Sequence, residues 1–78
     1  MKNKLIHKPY NEFKGALRAK NLTYANVAEL LNISETSVGF KINGKSDFYI
    51  SEVEKILNAY NLQLDIFLNQ KVANLITK

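Results

Sequence analysis

A chain of 78 residues with a net charge of +4 and a pI near 9.4 is one small domain, able to bury about 60% of its unfolded surface, too little for a deep catalytic cleft beside a core. Cysteine is absent and His7 is the lone histidine, which excludes disulfide frameworks, thiolate nucleophiles and a His-based metal site. No apolar run approaches the ~20 residues of a spanning helix and Met1 to Lys8 lacks the apolar core of a signal peptide, so a soluble, cytoplasmic protein off the membrane is expected, with an anionic partner favoured by its charge.

The first eight residues, MKNKLIHK, place three lysines and a histidine around Leu5 and Ile6. They read either as a flexible basic arm that follows a DNA groove or as a frayed terminus with a small hydrophobic contact. Pro9 suits a helix entry. Tyr10, Phe13, Ala16, Leu17 and Lys20 mark the apolar stripe of a first helix, and Asn21 is a left-handed stop. Lys2, Lys4, Lys8, Lys14, Arg18 and Lys20 face only the acid Glu12 within the first 20 positions, which concentrates positive potential at this end.

From Leu22 to Lys45 the sequence predicts two short helices and a tight turn. Tyr24, Val27, Ala28 and Leu31 recur at the i, i+3, i+4, i+7 spacing of one helix face, with Thr23 ahead of them as a cap. Asn32 occupies a position that needs a left-handed conformation, Ile33 is an apolar plug, and Ser34 caps a second helix running to about Ile42. Val38 and Ile42 pack inward; Glu35, Thr36, Ser37, Phe40 and Lys41 remain on the outer arc. Gly39 costs that helix roughly 1 kcal/mol relative to alanine, which points either to a close approach or to a tolerated imperfection.

These residues resemble the Cro- and repressor-type helix-turn-helix proteins of bacteriophages and bacteria, the XRE family. Leu22-Thr23, Val27-Ala28 with Leu31, Asn32-Ile33-Ser34 in place of the frequent Gly-Val-Ser, and Asn43-Gly44-Lys45 carry the resemblance, which extends more weakly from Tyr10 to Asn69. Two departures stand out: Tyr24 replaces a glutamine that touches DNA backbone, and Asn32 replaces the usual glycine. The resemblance implies an all-α, compact five-helix lambda-repressor-like domain over residues 9–69. It also implies a sequence-specific double-stranded DNA-binding transcriptional regulator of the phage or prophage Cro/repressor kind, acting at an operator. Ser34, Glu35, Thr36 and Phe40 would face the bases; Tyr24, Ser37, Lys41, Asn43 and Lys45 would face the backbone. Family members commonly bind as pairs to near-palindromic sites, so a homodimer on DNA is expected.

Other readings of the same residues remain open. Ser34 serves equally as a helix cap, Asn43-Gly44 as a C-terminal turn and Lys45 as a solvated charge. Glu35 either accepts from cytosine N4 or complements the positive helix end. Phe40 either meets a thymine methyl or packs on a neighbour.

After the turn, Phe48 in the Ser46-Asp47-Phe48 loop plugs the underside of the domain. Ser51 and Glu54 have capping-box spacing for a fourth helix, with Tyr49 or Ile50 as alternative starts, and Ile50, Val53, Ile56, Leu57 and Tyr60 form its face. Asn61 with Leu62 is a left-handed cap and its hydrophobic contact. Residues 63–68 read as a short fifth helix capped near Gln63 with Leu64, Phe67 and Leu68 inward, or as a strand from their alternation. The predicted core is Phe13, Leu17, Val27, Leu31, Val38, Val53, Ile56, Leu57 and Tyr60. The tail 70–78 carries Val72, Leu75 and Ile76, apolar positions that either fold back or meet a second copy.

An enzyme is not expected: the seven acids are scattered, no base or nucleophile accompanies them, and Asn43-Gly44-Lys45 lacks the glycines and strand of a phosphate loop. No cofactor, metal or small-molecule ligand is implied. The alternative to DNA binding is a protein-binding regulator, an antirepressor or antitoxin, using Phe40 and the apolar tail.

Overall fold

The computed structural model describes residues 5–68; Met1 to Lys4 and the tail with Val72, Leu75 and Ile76 lie outside them. The described chain is all-helical: α1 Asn11–Ala19, α2 Tyr24–Leu31, α3 Glu35–Asn43 and α4 Ile50–Tyr60, then a single helical turn, α5, over 65–68. The strand alternative for 63–68 is overturned. Phe67 N–H donates to the Leu64 carbonyl (2.9 Å) and Leu68 N–H to the same oxygen (3.2 Å), which are helical hydrogen bonds.

Three asparagines end three helices in the same way. Asn21, Asn32 and Asn61 sit at φ of 61°, 60° and 56°, in a left-handed region that asparagine tolerates better than most residues with a Cβ. After each, the next N–H turns back five residues: Leu22 to the Leu17 carbonyl (2.8 Å), Ile33 to Ala28 (3.0 Å) and Leu62 to Leu57 (3.0 Å). Those residues are Schellman contacts, whose side chains pack partly buried against the core while their amides satisfy orphan carbonyls.

α2 and α3 begin on side-chain caps. Thr23 Oγ1 accepts from Asn26 N–H (3.2 Å), and Asn26 Oδ1 accepts from Thr23 N–H (2.8 Å), a capping box closed by asparagine rather than the usual Glu or Gln. Ser34 Oγ accepts from Ser37 N–H (3.0 Å). The start of α4 corrects the Ser51 and Glu54 spacing to the alternative at Tyr49. Glu52 Oε1 accepts from Tyr49 N–H (2.9 Å), because Phe48, buried in the core, holds the chain extended up to Tyr49.

The core joins an aliphatic layer, Leu17, Val27, Leu31, Val38, Ile42 and Ile56, to an aromatic one, Tyr10, Phe13, Phe48 and Phe67. Phe67 is the hub of the rings, with centroids 4.8 Å from Phe13, 5.1 Å from Tyr10 and 5.7 Å from Phe48, spacings at which offset and edge contacts are favourable. Val53, Leu57 and Tyr60 are only partly buried; Val53 and Leu57 lie on the flank of α4 that lines an open cleft. Lys20 is exposed rather than part of the α1 stripe.

The largest departure concerns the start of the chain. Leu5 to Lys8 is not a free arm but lies across the end of α3. Ile6 N–H donates to the Gly44 carbonyl (2.7 Å) and Tyr10 N–H to Ile42 (2.9 Å). His7 Nε2 reaches the carbonyls of Lys41 (2.9 Å) and Ser46 (2.8 Å). With its side chain 5% exposed, the imidazole stacks on Tyr10 at 4.2 Å, and Tyr10 donates its hydroxyl to Asp47 Oδ1 (2.7 Å).

Gly44, at φ 104°, is required twice: for that backbone conformation, and because a Cβ there would collide with the His7 carbonyl oxygen. Gly44→Ala should therefore destabilise the domain and release residues 5–8. By contrast Gly15, in mid-helix with open space around it, should stabilise by roughly 0.5–1 kcal/mol on change to alanine. Urea unfolding of the two variants should move the midpoint in opposite directions.

Tyr60, at the end of α4, has its hydroxyl pKa raised above the ordinary 10.0 by burial and then by the charge of Glu29 on α2. A folded pKa above the unfolded one contributes stability that is complete below pH ~10 and lost as pH rises through the folded pKa. Tyr60→Phe should lose less stability than the parent between pH ~9 and ~11, as read from melts across that window.

Candidate nucleic-acid interface

The fold presents α3 by its outer side. Val38 and Ile42 are fully buried and pin one face of the helix, so Glu35, Thr36 and Phe40 are left in solvent. Thr36 and Phe40 stand one turn apart on this arc, and Phe40 is 45% exposed. Ser34 is exposed, with its hydroxyl engaged by Ser37 N–H and Ser37 Oγ (both 3.0 Å); its cap role is therefore established, and Ser37 is half-buried beside it.

The residues expected to face a phosphate backbone divide into two groups. Lys45 is exposed and its ammonium sits 5.0 Å from the centroid of Phe40, which couples the charge to the ring on the outer arc. Lys41 is placed differently. Its Nζ donates to Glu52 Oε1 (3.1 Å) and to the Asp47 carbonyl (3.2 Å) and lies 4.6 Å from the Tyr49 ring centroid. With side chains 12% and 14% exposed, Lys41 and Glu52 tie the last turn of α3 to the first turn of α4. The same Glu52 oxygen caps α4 through Tyr49 N–H. Asn43 is also turned home, its Nδ2 donating to the Gly39 carbonyl (2.9 Å).

Gly39 faces the Tyr24 ring. A Cβ on Gly39 would meet that ring at 3.8 Å, an ordinary contact, so the glycine is a tolerated imperfection of α3 and not a requirement for the ring to lie along its surface. Tyr24 also joins Lys14, Leu17, Arg18 and Leu22 around a shallow cleft. Basic groups of α1 are thus brought to the flank of the helix pair, an arrangement that spacing within either helix alone does not reveal. His7 and Ile6 are further residues the sequence left without a role. The one local signal was Pro9, which makes the preceding backbone extended and able to lie across another element.

Two helices joined through a left-handed Asn32, the second held inward by Val38 and Ile42 with its other face open, make this a helix-turn-helix domain. A family model described as the BetR domain matches residues 11–75. The chain belongs to that family, a small helix-turn-helix-like DNA-binding one. No curated protein and no solved structure matches the chain. Among the described residues no group of three or more His, Cys, Asp or Glu side chains is placed to hold a metal ion, and no helix is long and apolar enough to cross a membrane.

The two lysines near the end of α3 should respond oppositely to substitution. Lys41→Met removes a charged hydrogen bond to a half-buried carboxylate and should cost about 1.5–3 kcal/mol of stability. Lys45→Met should change the melt little, because an exposed charge contributes little to folding. Thermal denaturation of the pair checks the division.

Proposed function

We propose that this domain is a sequence-specific regulator of transcription that binds double-stranded operator DNA through the outer arc of α3, in the manner of phage Cro and repressor proteins. The observation that carries the reading is the open face of α3: Glu35, Thr36 and an exposed Phe40, on a helix whose two ends are both capped. The helix, nine residues and about 13.5 Å long, is about 10–12 Å across with its side chains, and a major groove about 12 Å wide admits that cross-section. Thr36 offers a hydroxyl and a methyl to base edges, Phe40 a surface for a thymine methyl, and Glu35 an acceptor for cytosine N4.

Phosphate contacts come from the flanks. Lys14 and Arg18 border the Tyr24 cleft on one side of the helix pair, and Lys45 stands just beyond the C-terminus of α3. Lys41 and Asn43 support the reading helix from within instead of touching the backbone. The domain acts by binding, without catalysis and without a cofactor, in the cytoplasm. One α3 covers few base pairs, so discrimination comes from two copies on half-sites about one helical turn, roughly 34 Å, apart.

Selection of bound sites from random duplex is the direct test: a recovered near-palindrome supports the reading, and retention of duplex without any preferred sequence rejects it. On the recovered site, Thr36→Ala should relax preference at one symmetric pair of positions by about 1–3 kcal/mol. Arg18→Ala and Lys45→Ala should weaken all duplexes alike and each lower the salt slope by about 1. Competition binding across salt concentrations distinguishes the two classes.

A further inference from the structure

Away from α3 the domain carries an apolar cleft of about 360 Å³ between α4 and α5. Phe67, 3% exposed, is its floor. Val53, Leu57 and Leu68 form half-buried walls, and Ile50 and Leu64, 79% and 47% exposed, form the rim. A small domain that leaves two branched aliphatic side chains open beside an apolar cleft has a surface that something covers.

We infer that the occupant is the chain's own segment 69–78, which follows directly from Leu68 and seats Val72, Leu75 and Ile76 in the cleft. Four observations converge on this segment. Its entry point, Leu68, already lines the cleft, so the segment is tethered at the site and pays little loop-closure entropy to reach it. Val72, Leu75 and Ile76 have the i, i+3, i+4 spacing of one helix face; as helix the segment would extend about 15 Å, against about 16 Å for the eleven residues of α4. Asp47 and Glu54 contribute carboxylates to the cleft border, and the segment supplies Lys71 and Lys78 with no acid of its own. The family match runs to residue 75 and so takes in Val72 and Leu75 together with the four helices. This role is independent of how α3 reads DNA.

The absence of cysteine makes the test direct. A nitroxide on Lys78→Cys in the isotopically labelled full chain should broaden the methyl signals of Ile50 and Leu64, and Leu75→Asp should abolish the broadening. A mixture of spin-labelled unlabelled chain with isotopically labelled chain should show none. Broadening in the mixture instead would make the cleft an interface between two copies, and no broadening in either sample would leave the segment off the cleft; each result overturns the inference. As an energetic check, Ile50→Ala should lower the folding equilibrium constant about 5-fold or more in the parent and markedly less beside Leu75→Asp, as contacting residues couple. Additive effects would also overturn it. Retention of DNA by the folded Lys78→Cys chain should equal that of the parent.

Discussion

The carbonyl end of α3 is the constraint that the rest of the molecule answers to. A helix leaves its last carbonyls without partners, and here those of Gly39 through Ile42 are each met by a donor drawn from a different place. Asn43 Nδ2 takes Gly39; the amides of Gly44, Lys45 and Ser46 share Phe40; His7 takes Lys41 and Tyr10 takes Ile42. The residues before α1 therefore complete α3, although 34 positions separate His7 from Lys41. Gly44 makes this possible, since only a residue without a Cβ lets the His7 backbone lie against the turn.

If α3 is the helix that reads DNA, as proposed, it would enter the complex already ordered. Its N-terminus is capped by Ser34, its C-terminus by the leading segment, and its last turn is braced to α4 through Lys41 and Glu52. Ordering costs of side chains and helix ends subtract from affinity when they fall at the moment of binding. Here folding meets them in advance. The arrangement also separates two uses of lysine: one ammonium is desolvated between a carboxylate and a ring to hold two helices, while the other, four residues on, stays at the surface beside Phe40.

Tyr24 and Gly39 show how a likeness at the level of motif can be kept while the contact changes. A bulky ring at the start of α2 lies against Gly39 of α3 at a distance that would also admit a Cβ there, and the same ring borders a cleft with Lys14 and Arg18 of α1. The ring stands where the resemblance would place an amide, with Lys14 and Arg18 lining the cleft beside it.

The sequence alone determined what depends on near neighbours. Apolar spacing located the helices, three asparagines marked their left-handed ends, Thr23 and Ser34 their capped starts, and Val38 and Ile42 the inward face of α3, because helix periodicity and caps act over four or five residues. Only the tertiary structure decided what spans long separations. It turned Leu5 to Lys8 from an arm into a cap, drew Lys41 inward to Glu52, moved the start of α4 to Tyr49 once Phe48 was buried, and gathered Tyr10, Phe13, Phe48 and Phe67 into one aromatic core. A free carbonyl, a carboxylate or a ring advertises no partner along the chain, and which donor or ring it meets is settled by how the helices pack.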